Sequence, residues 1–325
     1  MVVCPRFLVG LCAAVGAVLA LGAQAQTYPT KPVRMVVAFA PGGGTDIIGR
    51  IIGQKLSELW PHPVVVDNRP GAGSTVGTAM TAKAPPDGYT ISMTSMSHAI
   101  NATLYRQLPY DTVKDFAPVI LAVRAPNVLV VHPSVAAQSV KELIALAKSR
   151  PGQLNFASSG TGGVSHLSAE VLRAASGIDI VHVPYKGAGP AMNALLGNEA
   201  QIMMATTPVA LPQIKANRVR GIAISSRERS PLAPGMPTIA ESGFPGFETD
   251  TWYGLLAPAG TPTALVRRLN ADMTRTLEMP EVKKALEQQG AQPAGGTPEA
   301  FRRFIESEIE KWAKAIRLAK VPPAN

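Results

Sequence analysis

Short apolar runs alternate with amphipathic helical segments along this chain, and that alternation strongly restricts the folds open to it. Residues 33–39 form an apolar run that ends in a glycine-rich turn, and the helical segment after it carries Ile48, Ile52 and Leu56 on one face. The same order of apolar run, glycine-rich turn and helix returns over residues 154–176. Alternation of this kind is typical of α/β proteins. The pattern predicts an α/β architecture with largely parallel sheets.

Two cycles of strands and helices divide the chain, the second beginning near Asn127, so we expect two α/β lobes. Ser139 and Glu142 form a capping box at the start of one helix. Residues 230–246 are rich in proline and glycine and predict a long surface connection. Strands are expected at 33–39, 64–67, 89–94, 128–131, 154–158, 180–183, 200–204, 220–225 and 252–257, and the last helices at 263–278, 281–289 and 298–318.

The N-terminal segment has the three parts of a secretory signal peptide. Arg6 precedes an apolar stretch over residues 7–21, and Ala23-Gln24-Ala25 is an Ala-x-Ala cleavage site. We expect cleavage after Ala25 and export. Both cysteines of the 325-residue chain leave with this segment, so the mature protein is expected to have no disulfide, thiolate nucleophile or cysteine-bound metal.

Charge and aromatic content separate the partners that suit this chain from those that do not. The formal net charge is +9, which suits an anionic ligand. The basic residues are scattered and aromatic residues make up only 5% of the chain, so a nucleic-acid partner is not expected. Beyond residue 25 no apolar run approaches the roughly 18 residues of a membrane span, which excludes a multi-span membrane protein.

Templates for catalysis and cofactor binding find little support. No Gly-Lys-Ser or Gly-Lys-Thr tripeptide completes a P-loop, and the glycines after the second strand are wrongly spaced for a dinucleotide site. The five histidines include no i, i+4 pair, so neither a metal nor another cofactor is expected. A hydrolase using Ser158 or Ser159 with His166 stays open, although no Gly-x-Ser-x-Gly elbow is present. The glutamates of the last helix are expected to form a solvated face: Glu306, Glu308 and Glu310.

Two glycine-rich loops carry the strongest functional signal. Residues 41–46 and 158–163 each join the carboxyl end of a strand to the start of a helix. Glycines let backbone N–H groups turn toward one point, and a helix N-terminus adds about half a positive charge. A third loop, residues 184–187, adds the phenol of Tyr185 and the cation of Lys186. One such loop in each lobe favours a carboxylate site in a shared cleft over two ordinary turns.

Short motifs follow one another along almost the whole chain after residue 27. They are YPTKPVR (28–34), APGGGTD (40–46), VDNRPGAGS (66–74), PDGY (86–89), LPYD (108–111), SSGTG (158–162), HVPYKG (182–187), PTIAE (237–241) and APAGTP (257–262). In this order the motifs resemble those of the Bug-type periplasmic solute receptors of tripartite tricarboxylate transporters.

The resemblance implies a two-lobed type II periplasmic binding protein fold, often called a Venus flytrap. The chain would cross from the first lobe to the second near residues 125–127 and return near residues 247–252. Lobe one would then comprise residues 26–126 and 248–325, and lobe two residues 127–247. The C-terminal helices would pack on the first lobe, which periodicity alone does not indicate.

The resemblance also implies a small organic anion between the lobes: a mono-, di- or tricarboxylate or an aromatic acid. Ala205-Thr206-Thr207 stands where family members often carry an acidic residue, and its loss argues against an amino acid ligand, whose ammonium needs that carboxylate. The expected ligand-binding residues are Pro41, Gly42, Gly43, Gly44, Thr45, Asp46, Gly71, Ala72, Gly73, Ser74, Ser97, Ser158, Ser159, Gly160, Thr161, His166, Tyr185, Lys186, Gly187, Ala205 and Thr206.

The expected function is that of a monomeric periplasmic solute-binding protein. It would capture a small carboxylate and deliver it to the membrane permease subunits of a tripartite tricarboxylate transporter, without chemistry and without a cofactor. Two alternatives remain: the hydrolase on the same fold, and a receptor that reports its ligand to a sensor kinase.

Overall fold

The structure is a computed structural model that describes residues 28–324. The expected signal segment, its cleavage site and both cysteines lie outside these residues. The strands are β1 (Val33–Val37), β2 (Val64–Asn68), β3 (Thr90–Ser95), β4 (Phe116–Ala125), β5 (Asn127–Val131), β6 (Asn155–Ser158), β7 (Val181–Pro184), β8 (Ile202–Thr206), β9 (Arg220–Ile224), β10 (Thr251–Pro258) and β11 (Gln292–Pro293). The helices are α1 (Gly44–Leu59), α2 (Thr75–Ala82), α3 (Ser97–Leu104), α4 (Val140–Ser149), α5 (Val164–Ser176), α6 (Ala188–Leu196), α7 (Thr207–Lys215), α8 (Thr263–Glu278), α9 (Pro280–Gln288) and α10 (Pro298–Leu318).

The strands form two separate sheets. The first has the order β11-β4-β10-β3-β1-β2, and the second has the order β7-β6-β8-β5-β9. In the first sheet β1 is parallel to β2 and β3, and in the second β6 is parallel to β7 and β8. The expectation of an α/β chain with two lobes is confirmed.

The expectation of largely parallel sheets is wrong, because the strands that link the two sheets run against their neighbours. β4 continues through Pro126 directly into β5, and β10 later brings the chain back to the first sheet. β10 is antiparallel to β3 and β4, and β5 is antiparallel to β8 and β9. Two consecutive strands can pair in parallel only if a crossover connection returns the chain to the end of the sheet where the first strand began. The linking strands have no such connection.

The register of the linking strands brings the carboxyl ends of the parallel strands to the passage between the sheets. Asn127, the first residue of β5, pairs with Thr206, the last residue of β8. Tyr253, near the start of β10, pairs with Ser95, the last residue of β3. Ligands of open α/β sheets bind at the carboxyl ends of strands. The two sheets therefore present their ligand-binding edges to each other.

The C-terminal helices pack on the first sheet. Leu269 and Met273 of α8 and Leu286 of α9 belong to the same buried cluster as the residues of β1 and α1. Helix α10 buries Phe301 and Trp312 against α3 and β10. The chain thus ends on the sheet where it began.

The expected solvated face of the last helix is wrong at Glu308. This side chain is only 6% exposed and accepts hydrogen bonds from the indole N–H groups of Trp252 (3.0 Å) and Trp312 (3.3 Å). Buried indole N–H groups need an acceptor, and no other described residue provides one. Glu308 is therefore part of the packing between α10 and β10.

Helices α3, α6 and α7 were not predicted from the sequence. Most side chains of α3 are buried, so it shows no contrast between a polar and an apolar face. Helix α7 contains Pro208 and Pro212, and proline normally argues against a helix interior. The predicted capping box is confirmed, because Ser139 Oγ accepts a hydrogen bond from the N–H of Glu142 (3.2 Å). Within residues 28–324 no helix combines the length and apolarity needed to cross a bilayer.

A buried polar network ties the two passages between the sheets. The N–H of Asn127 donates to Ser225 Oγ (2.8 Å), and Ser225 Oγ donates to Asp250 Oδ1 (2.9 Å). The side-chain amide of Asn127 donates to the carbonyl of Thr249. Burial raises the pKa of Asp250 to about 6, and the nearby carboxylate of Glu248 acts in the same direction.

We expect Asp250→Asn to raise the free energy of unfolding at pH 7 by roughly 1–3 kcal/mol, because it removes a buried charge and keeps an acceptor for Ser225. Between about pH 6 and pH 4 the folded wild type binds a proton at Asp250 that the unfolded chain does not bind, so acidification stabilises the wild type relative to the variant. Urea unfolding across this range measures the difference, which should vanish near pH 4. Equal free energies of unfolding for the wild type and Asp250→Asn at pH 7 would contradict the prediction that this charge is destabilising.

Candidate functional site

Two adjoining chambers lie between the facing edges of the sheets. The deep chamber has a volume of about 20 Å³, enough for one water-sized group. The outer chamber has a volume of about 430 Å³, within the usual range of ligand pockets. Phe39 and Ser159 line both chambers, so the two chambers lie side by side.

The N-terminus of α1 supplies backbone donors to the deep chamber. Gly43, Gly44 and Thr45 line it, and their N–H groups have no acceptor within residues 28–324. The partial positive charge of the helix start favours an anion here. The dense packing explains why glycine is needed, because a Cβ on Gly44 would overlap the hydroxyl of Tyr253.

Asp46 shapes this loop and does not face the chamber. Its carboxylate accepts hydrogen bonds from the N–H of Gly42 (3.0 Å), from Arg50 Nε (2.9 Å) and from Asn68 Nδ2 (2.9 Å). Burial alone raises the pKa of Asp46, but these hydrogen bonds outweigh it and hold the pKa below its ordinary value. The carboxylate is therefore fully engaged within the first lobe and neutralised beside Arg50.

Three hydroxyl groups complete the deep chamber. The hydroxyls of Thr206, Thr251 and Tyr253 are buried and have no hydrogen-bond partner among the described residues. Burial raises the pKa of Tyr253 far above its usual range, so its hydroxyl stays neutral and able to donate. Buried polar groups normally have partners, and these three are placed to find theirs in a ligand or in water at the chamber.

The outer chamber contains a strained turn that leaves two backbone donors without an acceptor among the described residues. Ala72, Gly73 and Ser74 have φ angles of 42°, 57° and 87°, all left-handed. Left-handed non-glycine residues are uncommon and gather at ligand clamps. Asn101 holds this turn by donating from Nδ2 to the carbonyl of Gly73 (2.8 Å). The N–H of Ser74 donates to the carbonyl of Gly71 (3.1 Å), so the turn leaves the N–H groups of Ala72 and Gly73 for an anion.

The glycine-rich loop of the second sheet differs from the expected anion loop. Among the N–H groups of residues 159–163, only that of Thr161 has no acceptor within the described part of the chain. The others donate inside the loop and its helix: Ser159 to Ser165 Oγ (2.7 Å), Gly160 to Ser158 Oγ (3.2 Å), Gly162 to His166 Nδ1 (3.3 Å) and Gly163 to the carbonyl of Gly160 (2.9 Å).

Two stacked histidines lie behind this loop. The rings of His166 and His182 have centroids 4.1 Å apart, and Ser158 Oγ lies 2.6 Å from His182 Nε2. Burial lowers the pKa of His166 to about 3 and that of His182 to about 4, so both are neutral acceptors near neutral pH. His166 Nδ1 is occupied by the N–H of Gly162, and Ser158 pairs with His182. The hydroxyls of Ser158 and Ser159 therefore pair with His182 and Ser165 and not with His166, the base that the hydrolase alternative requires.

The structure brings most of the expected ligand-binding residues to the two chambers. Ser159 lines both of them. Expected residues in the deep chamber are Gly43, Gly44, Thr45 and Thr206, and those in the outer chamber are Gly71, Ala72, Gly73, Ser74, Gly160, Thr161, Tyr185 and Lys186. Lys186 is the one charged side chain among all described lining residues, and no carboxylate lines either chamber.

Eight expected residues lie elsewhere, and packing explains each. Asp46, Ser158 and His166 are engaged as described above. Ala205 belongs to the buried core of the second sheet, and Ser97 is buried at the start of α3. The remaining three shape the back of the α1 loop: Pro41 and Gly42 line a separate groove toward α6 and α7, and Gly187 precedes α6 and packs against Ala40.

Sequence reasoning missed Phe39, Ser95, Thr251 and Tyr253 in the deep chamber and Tyr105 in the outer one. Thr251 and Tyr253 are two residues apart on β10 and therefore point to the same side of the strand. That spacing is the signal that was available. The spacing could not be linked to the site from the sequence, however, because the sequence does not show that β10 enters the first sheet beside the site.

The chain is similar to known proteins over nearly its whole length. A model of the tripartite tricarboxylate transporter family receptor matches residues 48–320. Protein BugT of Bordetella pertussis (strain Tohama I) is 38% identical over 301 residues, 92% of each chain. The structure of R. palustris Rpa4515 with adipate has a TM-score of 0.89 at 37% identity, covering 91% of this chain and 100% of that one. MatC from Rhodopseudomonas palustris with bound malate has a TM-score of 0.86 at 32% identity, covering 89% and 100%.

Two neighbouring glycines allow a matched test of the deep chamber. We expect Gly44→Ala to lower the affinity for a small carboxylate at least about tenfold, because its Cβ enters the space between the hydroxyls of Tyr253 and Thr206. Gly43→Ala is the control, since a Cβ there meets its nearest neighbours at an ordinary 3.7 Å. Isothermal titration calorimetry on folded variants measures both. Equal affinities for the two variants would remove the deep chamber from the binding site.

Proposed function

The chain belongs to the tripartite tricarboxylate transporter receptor family, and on that premise we propose that its two chambers together hold one small dicarboxylate. The family consists of solute-binding receptors and not of enzymes, and its members are periplasmic binding proteins. This chain is accordingly a receptor that binds a carboxylate and releases it unchanged. The hydrolase alternative has no support in the family or in the histidine geometry.

One observation carries the proposal: the described lining residues form two separate groups of anion donors and include no carboxylate. The deep group combines the N-terminus of α1 with neutral hydroxyls, and the outer group combines the turn at residues 72–74 with Lys186. Each group suits one negatively charged end of a ligand. The deep chamber takes only the tip of one end group, so the body of the ligand occupies the outer chamber.

The ligands of solved relatives agree with two acidic ends. The structure of Rpa4515 holds adipate and that of MatC holds malate, and both ligands are dicarboxylates. This chain has Thr206 in the deep chamber, next to Ala205, where a carboxylate would serve an ammonium group. An amino acid ligand would leave its ammonium unpaired in a buried site, which is unfavourable. We therefore favour dicarboxylates that lack an amino group.

The two sheets are proposed as the cores of two lobes that close on this ligand. Lobe one comprises residues 26–126 with 248–325, and lobe two comprises residues 127–247. The chain is proposed to act as a monomer that delivers its ligand to the membrane permease subunits of a tripartite tricarboxylate transporter. Lobe closure of this kind gives such subunits a ligand-dependent surface to recognise.

Thermal-shift assays with paired acids test the ligand class. Adipate or malate at 100 times its dissociation constant should add about 2.7 kcal/mol to the free energy of unfolding. Their matched controls keep both carboxylates: 2-aminoadipate adds an ammonium to adipate, and aspartate carries an ammonium in place of the hydroxyl of malate. Both should shift the melting temperature much less. A larger shift with either amino acid would contradict the proposal.

Export is tested at the N-terminus of the secreted protein. We expect signal peptidase to cut after Ala25, because Ala23-Gln24-Ala25 precedes the polar sequence that starts at Gln26. Mass spectrometry of the periplasmic fraction should give a mature chain that begins Gln-Thr-Tyr-Pro. Recovery of the intact N-terminus in the membrane fraction would contradict cleavage.

A further inference from the structure

Tyr105 reaches across the mouth of the cleft. It follows α3 on the side of the first sheet, lines the outer chamber and is half-buried. Its hydroxyl donates a hydrogen bond to the backbone carbonyl of Thr161 in the loop after β6 (3.2 Å). This bond joins the two halves of the molecule beside the space that receives the ligand.

The two loops on either side of this bond are in direct contact. A Cβ on Gly73 would overlap the carbonyl of Thr161, and a Cβ on Gly162 would overlap the side chains of Asn101 and Tyr105. Such close approach is possible only while the sheets are brought together. The hydrogen bond from Tyr105 to Thr161 therefore belongs to the closed arrangement of the two sheets and stabilises it.

The peptide between Thr161 and Gly162 is held from both sides of the cleft. Its carbonyl accepts from Tyr105 of the first lobe, and its N–H donates to His166 Nδ1 of the second (3.3 Å). The neighbouring N–H of Thr161 is the loop donor that has no acceptor among the described residues. Fixing this peptide therefore also fixes the direction of the one loop donor left for a ligand.

The backbone of Tyr105 is anchored independently of the second lobe. The N–H of Arg106 donates to the carbonyl of Ala324 (3.3 Å), and the N–H of Ala324 donates to the carbonyl of Leu104 (2.9 Å). The C-terminal segment thus braces the chain on both sides of Tyr105. The ring keeps its position in the first lobe when the second lobe moves away.

We propose that Tyr105 is a positioning residue that latches the loop of residues 158–163 over the bound ligand and so slows its release. The inference rests on the proposed function, because it assumes a ligand that is retained by closure. In an open form the half-exposed hydroxyl turns to water, so the bond to Thr161 stabilises the closed form alone. Burial raises the pKa of Tyr105, which keeps the hydroxyl protonated and able to donate near neutral pH.

Tyr105→Phe removes the hydroxyl and keeps the ring. With adipate and malate as probes, we expect the dissociation rate constant to rise about twofold to tenfold, the range for one hydrogen bond, while the association rate constant changes little. Stopped-flow fluorescence measures both rates. Tyr28→Phe is the matched control, since its hydroxyl also donates to a backbone carbonyl, that of Gly88 (2.7 Å), but lines neither chamber; its rates should match the wild type. An unchanged dissociation rate in Tyr105→Phe overturns the latch and leaves the proposed function intact, because the probe still binds.

A distance measurement separates failure of the latch from failure of the proposed ligand class. Spin labels on Lys114→Cys and Lys141→Cys, both exposed and on opposite lobes, report the opening between lobes by double electron–electron resonance. We expect Tyr105→Phe to move the distance distribution toward longer values and the control Tyr28→Phe to leave it unchanged. If neither adipate nor malate binds the wild type, the proposed ligand class fails. The latch can still be tested with the ligand-free proteins: identical distance distributions for wild type and Tyr105→Phe overturn it.

Discussion

The chain passes from its first sheet to its second through a single residue, Pro126, and the arrangement of the whole molecule depends on that short passage. Because β5 begins where β4 ends, the chain enters the second sheet at the same side where it leaves the first. β10 returns at this side too and runs against β3. The carboxyl ends of the parallel strands therefore face each other across one gap, and the loops that follow them meet there.

The site that results attracts an anion with very little formal charge. The start of α1 and the left-handed turn at Ala72 and Gly73 supply backbone N–H groups, and buried hydroxyls add neutral donors, while Lys186 is the one cation among the described lining residues. Backbone dipoles of this kind favour negative charge without asking for a second buried ion. None of the described lining residues carries a carboxylate, so a buried ammonium group would have no charged partner among them.

The second lobe contributes mainly a preformed loop, residues 158–163, and few free hydrogen-bond donors. Most N–H groups of residues 159–163 bind partners in their own loop or helix, including the neutral imidazole of His166. A buried imidazole with a lowered pKa is a good acceptor and a poor general base at neutral pH. The residues that suggested catalysis from the sequence thus hold the loop rigid, so that closing it over the first lobe costs little further ordering.

The sequence alone determined the elements and the chemistry of the loops. Apolar runs of strand length, glycine-rich turns and amphipathic helices are local patterns, and they predicted the α/β class, most strand positions and a carboxylate site at Gly43, Gly44 and Ser159. Tertiary structure alone decided which side chains meet. Thr251 and Tyr253 lie about two hundred residues from the α1 loop that they complete, and Tyr105 meets Thr161 only because β4 and β5 place their lobes face to face. Burial by distant segments also turned Glu308 toward Trp252 and stacked His166 on His182, and such burial depends on contacts between segments that no local periodicity encodes.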